Sequence, residues 1–192
     1  MIPMRSPIST QSPTAGSSAL MLSDLSLRRR SGVRGLGASD WLEAQGYALP
    51  AMPNQIVSSQ QDDLIMSLSH REFWLLHPQS DAENLVPPSV AVSPGVWPLY
   101  CQHSHAWLLL TGDARAAMMA KICGVDLSEP AFSVGSVAQT QVARVSTVIA
   151  HHQWGTQLAF SLFVDQSLAV YLWEVLEDAL AEFAVTGRLH GA

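Results

Sequence analysis

Ala106–Val145 reads AWLLLTGDARAAMMAKICGVDLSEPAFSVGSVAQTQVARV. Trp107–Leu110 is a short apolar run and predicts a strand. Asp113–Cys123 predicts a helix, because Ala114, Ala117, Met118 and Ile122 fall at i, i+3, i+4 and i+8, on one helical face. Thr111 or Asp113 caps its start, and Gly124 takes the C′ position. Lys121 stands in the last turn, where the helix dipole favours a cation. An acidic loop follows, and Val137–Ile149 then predicts one long strand. This is a strand–helix–strand unit with its boundaries written in. No residue in it is bound to do chemistry. A scaffold so well specified and so poor in reactive groups suggests a subunit more than an enzyme in its own right.

Downstream, Leu158, Phe160, Leu162 and Val164 alternate as a second strand. Leu168, Leu172, Val175, Leu176, Ala179, Leu180 and Phe183 then trace one stripe of an amphipathic helix over Ser167–Ala184. Glu174, Glu177, Asp178 and Glu182 fall largely outside that stripe. The order β-α-β-β-α follows the split βαβ, ferredoxin-like plan, so the fold class is α+β.

Upstream, Met21–Leu27 reads as a loose strand or turn. Ser39 or Asp40 caps a short helix, Trp41–Gln45, closed by Gly46. Asp63–Leu68 and Phe73–His77 form a hairpin over the turn Ser69–Glu72. Residues 1–20 are mostly Ser, Thr, Pro and Gln. They bury too little apolar surface to offset ordering entropy and read as a disordered tail. Residues 78–98 hold Pro78, Pro87, Pro88, Pro94 and Pro98, which leave room for one short turn near Asp81–Leu85. That segment is the expected boundary between two halves of a single domain, 21–192.

Charged residues make up 14% of the chain, well below the usual quarter, which fits a surface partly covered by a partner. A net charge of −6 with only 10 Lys and Arg disfavours nucleic acid. Arg28, Arg29 and Arg30, with Arg34 nearby, read as an exposed strand edge or an interface contact. Cys101 and Cys123 form no CxxC pair and fit a reducing, cytoplasmic setting. The N-terminus has no apolar signal region, and no apolar run approaches the ~18 residues of a membrane span.

Few groups carry chemistry. On a strand, Cys101, His103 and His105 would project from one face as a possible metal ligand set, but no further cluster completes a closed site and no metal is expected. His151 and His152 lie in an expected turn, point apart and read as solvated. Asp62 and Asp63 precede the apolar run Leu64-Ile65-Met66 and are the candidate carboxylates for a cationic ligand or a general base; two acids at a strand start are more often simply solvated. Gly32, Gly35 and Gly37 lack the strand–GxGxxG–helix context, so they permit tight turns or close backbone approach. Trp41, Trp74, Trp97, Trp107, Trp154 and Trp173 read mainly as core and half-buried packing.

Taken in order, several segments resemble one known family. Leu22-Ser23-Asp24-Leu25-Ser26, Gly32-Val33-Arg34-Gly35 and Trp41-Leu42 resemble the opening of the glycine-cleavage aminomethyltransferase superfamily. Leu110–Arg115 resembles its L-x-G-x-x-A turn. Ala138-Gln139-Thr140, Asp165-Gln166-Ser167 and Tyr171-Leu172-Trp173 sharpen the likeness toward the gamma subunits of heterotetrameric sarcosine oxidases. It runs from about Leu20 to Phe183. It implies a folate-binding-type fold that serves as a non-catalytic structural subunit, with no cofactor on this chain. It also implies partners: alpha, beta and delta subunits. FAD, FMN, NAD, zinc and tetrahydrofolate would be held by the whole complex, which oxidatively demethylates sarcosine or a related N-methyl amine. The same resemblance places the catalytic carboxylate of true aminomethyltransferases on Asp62 or Asp63. That gives the alternative of a freestanding folate-binding one-carbon-transfer protein.

Overall fold

The structure is a computed structural model that describes residues 5–8, 14–15, 20–59, 63–81 and 93–185; the side chains of 14, 15, 184 and 185 are not described. The chain divides into two compact units. One is built on Leu27–Ser104, the other on Ser6–Ser26 together with the chain from His105 onward.

The first unit is a five-stranded antiparallel sheet with a helix on one face. Its elements are β3 (Arg28–Gly35), α1 (Ala38–Ala44), β4 (Gln55–Ser58), β5 (Leu64–Ser69), β6 (Glu72–Asp81), β7 (Val96–Leu99) and the short helix α2 (Cys101–Ser104). The strand order is β4-β5-β6-β3-β7. Paired residues on adjacent strands share a face, and Val33, Phe73, Leu75 and Ile65 line the face that packs against Ala38 and Leu42 of α1. Helix α1 ends as expected at Gly46, whose φ is +87. Tyr47 N–H donates to Leu42 O at 3.1 Å and Gly46 N–H to Glu43 O at 2.9 Å, closing a Schellman motif. Its start differs from expectation. Gly37 is the N-cap, and neither Ser39 nor Asp40 caps it. The expected β5–β6 hairpin is present, with a tighter turn: Ser69 pairs Glu72, and a register shift between Ser67 and Ser69 absorbs the extra residue.

The second unit holds β1 (Thr14–Ala15), β2 (Met21–Asp24), β8 (His105–Thr111), α3 (Arg115–Met119), β9 (Val137–Val142), β10 (Val145–Trp154), β11 (Gln157–Asp165) and α4 (Ala169–Val185), in strand order β1-β2-β8-β11-β10-β9. Ala106, Leu108 and Leu110 of β8, with Phe160, Leu162 and Val164 of β11, pack under Leu172, Trp173, Leu176, Ala179 and Leu180 of α4. The stripe read from sequence is therefore the buried face, although Leu168 is exposed. The helix proper begins at Ala169, after a 3-10 turn capped by Asp165, whose side chain accepts from Ser167 N–H at 2.9 Å.

Three boundaries are corrected. The run Val137–Ile149 is two strands, because Ala143 and Arg144, at φ +49 and +69, make a two-residue hairpin turn. Non-glycine residues at those angles carry no sequence signal. Helix α3 is shorter than Asp113–Cys123, because Cys123 leaves it to bridge Val142, and Ala143 N–H donates to Ile122 O at 2.8 Å. Gly124 is accordingly no left-handed cap. Pro78 lies inside β6, and Pro98 inside β7, an edge strand where a missing N–H is tolerated. The turn expected near Asp81–Leu85 lies mostly outside the described residues. Within the expected tail, Ser6 and Ile8 are buried and Thr14–Ala15 pairs with β2; the rest of 1–20, apart from Arg5, Pro7 and the buried Leu20, lies outside the described residues.

The two units share one topology. In each, the first strand leads through a helix to a meander of three (β3-α1-β4-β5-β6 and β8-α3-β9-β10-β11). The meander's last strand pairs beside the first. Strands β8 and β10 thus run parallel with β11 between them, as do β3 and β5 with β6 between them: the split arrangement, made twice. A glycine of positive φ closes each first strand or follows it directly, Gly35 at +149 as the last residue of β3 and Gly112 at +108 just after β8. Gly112→Ala should cost about 1–3 kcal/mol through backbone strain; chemical denaturation reads it, and a neutral result would mean the turn does not need that conformation.

Candidate functional site

The carboxylate singled out by sequence sits in a cross-strand row. Asp63 immediately precedes Leu64, which pairs with Leu76, so Asp63 falls beside His77 on β6; His77 in turn pairs with Arg29 on β3. His77 Nδ1 lies 2.8 Å from Asp63 Oδ2. Burial of the imidazole holds the His77 pKa below its ordinary value; Asp63 pulls the other way, and the Arg29 charge adds to the lowering. At neutral pH the ring is therefore uncharged, and its Nδ1–H donates to the carboxylate. Asp62 lies outside the described residues. Asp63→Asn removes the group that raises the His77 pKa, so His77 should titrate lower still in the variant. A histidine titration by NMR checks this, and an upward shift would contradict the geometry.

The other polar groups of interest sit on β10. The expectation that His151 and His152 are solvated is overturned: both are buried, because β10 runs on through them to Trp154 and both of its faces are covered there. They do point apart. His151 faces α3. Its Nδ1 meets Phe132 O at 2.8 Å and its Nε2 meets Arg115 NH2 at 3.0 Å, so Nδ1 carries the proton and Nε2 accepts. Arg115, itself buried, also donates to Gly112 O at 3.1 Å and reaches Glu129 at 3.4 Å, with its guanidinium 5.2 Å over the Phe160 ring. It pins the Gly112 turn to β10.

His152 faces the opposite side of the sheet. Its Nε2 is 2.7 Å from Ser161 Oγ, and Trp107 Nε1–H donates to the same oxygen at 2.8 Å. The pair has the spacing of a nucleophile and its base. The surroundings deny it that role. Ser161 is 0% exposed, and His152 Nδ1 is held by the Gln153 carbonyl at 2.9 Å instead of a carboxylate. Burial depresses the His152 pKa to about 4, too low for an effective base near neutrality. This is a closed structural network.

The remaining expectations resolve through packing. Cys101 and His103 lie on helix α2 and only His105 begins a strand, so the three do not project from one strand face. Cys101 is buried against Gly32, where an added Cβ would meet Cys101 Sγ at 2.9 Å and Phe73 O at 2.8 Å. Burial pushes its thiol up to about 12, which makes it unreactive. Among the described residues no group of three or more His, Cys, Asp or Glu is placed to hold a metal. The three-arginine run is not an exposed edge. Arg30 is 2% exposed, with its N–H on Gln102 Oε1 at 2.7 Å and NH2 on Gln102 O at 3.4 Å. Arg28 meets Asp81 at 2.9 Å on the surface. Trp74, Trp107 and Trp173 are buried, whereas Trp97 is 60% exposed. No helix among the described residues is long and apolar enough to cross a membrane.

Two antiparallel sheets, each carrying helices and each built on the same split plan, define an aminomethyltransferase-like α+β fold. The solved structures that share it include a chain of the heterotetrameric sarcosine oxidase from Corynebacterium sp. U-96, in complex with pyrrole 2-carboxylate. The match has 22% identity and a TM-score of 0.76, over 95% of this chain and 97% of that one. They also include the glycine cleavage system aminomethyltransferase T from Bartonella henselae, at 19% identity and a TM-score of 0.61, over 82% of this chain and 45% of that one. No family model and no curated protein matches the sequence.

Proposed function

We propose that this chain is a non-catalytic, gamma-type subunit of a heterotetrameric sarcosine oxidase-like complex, cytoplasmic, which oxidatively demethylates sarcosine or a related N-methyl amine. The observation that carries the reading is the reach of the structural likeness. It spans nearly the whole of both chains for the sarcosine oxidase, and under half of the aminomethyltransferase. The polar groups agree with it: Arg115 is committed to His151, Ser161 to His152, and the Asp63 carboxylate to His77. Large apolar side chains stand at the surface, notably Leu36 at 75% and Trp97 at 60% exposure, beside Arg34 and Arg71 on one groove. Exposed Trp with neighbouring Arg is the composition of interface anchors. Alpha-, beta- and delta-type subunits are the partners, and FAD, FMN, NAD, zinc and tetrahydrofolate belong to them under this reading.

Co-expression with such subunits tests it. A stable complex containing this chain, with amine oxidase activity that is lost when the chain is left out, is the expected result. A chain that never copurifies with them would remove the reading. Calorimetry with tetrahydrofolate on the isolated chain should give no heat at sub-millimolar ligand. Heat that Asp63→Asn abolishes would favour one-carbon transfer instead.

A further inference from the structure

The end of the first sheet at which β3 turns into α1 carries a groove of about 500 Å³. One wall is a cross-strand row. Arg34 pairs with Trp97 on one side and with Glu72 on the other, while the neighbouring Val33–Phe73 pair faces α1. Trp97, Arg34 and Glu72 therefore share the sheet face away from that helix. Leu36, from the turn after β3, and Arg71, from the β5–β6 turn, complete the rim. Gly35 and Gly95 line the groove with bare backbone, and a Cβ added at Gly95 would meet nothing within 4 Å.

The shape suits a protein better than a small molecule. A small-molecule site is concave and buries most of its ligand. Here the largest apolar groups stand out from the surface instead, Leu36 at 75% and Trp97 at 60% exposure, as interface anchors do.

The charges say what the partner must offer. Arg34 is already balanced: its Nε–H donates to Glu72 Oε2 at 2.8 Å, and Trp74 Nε1–H donates to Glu72 Oε1 at 3.2 Å. Arg71 is not balanced. Its backbone meets Ser69 and Gly35, but none of the hydrogen bonds or ion pairs among the described residues engages its exposed guanidinium. The groove thus keeps one uncompensated positive charge beside apolar surface. A body docked over Trp97 takes that charge out of water, which is costly unless a carboxylate meets it. A second copy using the same patch about a two-fold axis would set Arg71 against a groove of its own sign. We propose that this groove is the docking site for a partner subunit that offers an apolar pocket to Trp97 and an aspartate or glutamate to Arg71.

This rests on the subunit reading above, and the co-expressed complex separates the two. Hydroxyl-radical oxidation of Trp97 should be about ten-fold or more slower in the complex than in the chain alone. Trp97→Ala and Arg71→Glu should each lower the amount of chain recovered with its partners by about ten-fold or more. Both side chains are exposed, so the urea midpoint of the isolated chain should hardly move. A complex in which Trp97 oxidises as freely as in the chain alone, and which both variants enter normally, overturns the groove and leaves the subunit reading standing. Absence of any complex overturns both. A concentration-dependent dimer of the isolated chain that Trp97→Ala abolishes would assign the groove to a second copy and overturn the proposal as well. Should Trp97→Ala fail to fold, the oxidation of Trp97 in the unaltered chain still decides.

Discussion

Gly35→Ala is expected to destabilise the first unit by more than about 4 kcal/mol, the range reserved for a few severe mechanisms. An added Cβ would lie 1.8 Å from the Gly95 carbonyl oxygen and 2.8 Å from its carbonyl carbon. Both atoms are backbone, so no rotamer change relieves the overlap. The φ of +149 adds strain for any L side chain. Gly35 also pairs with Val96, and its N–H donates to Arg71 O at 2.9 Å, so moving it strips β7 from β3 and loosens the β5–β6 turn. Two controls separate crowding from conformation. Gly95→Ala, at φ +75 with nothing within 4 Å, should cost only about 1–3 kcal/mol of backbone strain, and Gly124→Ala, in open space without that φ, close to nothing. Urea unfolding of the three variants gives the order. Gly35→Ala within about 1 kcal/mol of Gly95→Ala would mean that the close approach of the two backbones is wrong.

The contrast between Gly35 and Gly124 shows where sequence reading holds and where it stops. A continuous apolar run marked β8, alternation marked β11 and helical periodicity marked α4, because burial imposes an apolar pattern on each. Gly46 announced its helix end through a left-handed conformation that only glycine adopts easily. Gly124 looked identical on paper, but tertiary pairing of Cys123 with Val142 ended α3 first. Ala143-Arg144 turns the chain at positive φ with residues that do not favour it, so the turn is held by the register of β9 and β10 and carries no local signal. Two halves of the split βαβ plan were expected, yet their repetition leaves little trace in the residues themselves. Arg34-Gly35-Leu36-Gly37 and Thr111-Gly112-Asp113-Ala114 occupy the same place after the first strand and share a single glycine, because only the backbone turn is constrained there.

The candidate site fared differently. Asp63 was visible, but its partner His77 was not, since they are joined across strands, 14 residues apart in sequence. His151 and His152 look solvated in the sequence because polar residues near a Gln-Trp-Gly turn usually are. Extending β10 to Trp154 sets the two on opposite faces, and only packing on both sides of the sheet buries both. Arg115 carries no sequence signal, because its partners Gly112, Glu129 and His151 come together only on folding.

Acid should unfold this protein earlier than its carboxylates alone would dictate, with His152 the main cause. Its pKa is about 4 in the folded chain against 6.5 in the unfolded one. Above pH 6.5 both states are neutral and the stability is fully present. As the pH falls from 6.5 toward 4, the unfolded chain takes up a proton that the folded chain refuses. Stability then drops by about 3 kcal/mol from this residue, reaching its floor below about 4. The structural reason is the direction of the hydrogen bonds. Ser161 Oγ accepts from Trp107 and gives its own proton to His152 Nε2, while Nδ1–H is held by the Gln153 carbonyl. A proton on Nε2 would make Ser161 accept twice and leave its hydroxyl hydrogen buried without an acceptor. His77 and His151, whose pKa values are also lowered mainly by burial, act with the same sign. His152→Gln keeps an acceptor for Ser161 but cannot titrate. Its unfolding free energy should therefore fall less steeply than the wild type's between pH 6.5 and 4, even if it starts lower at pH 7.5. Parallel stability curves for the two proteins would show that His152 is protonated inside the fold and that the network runs the other way.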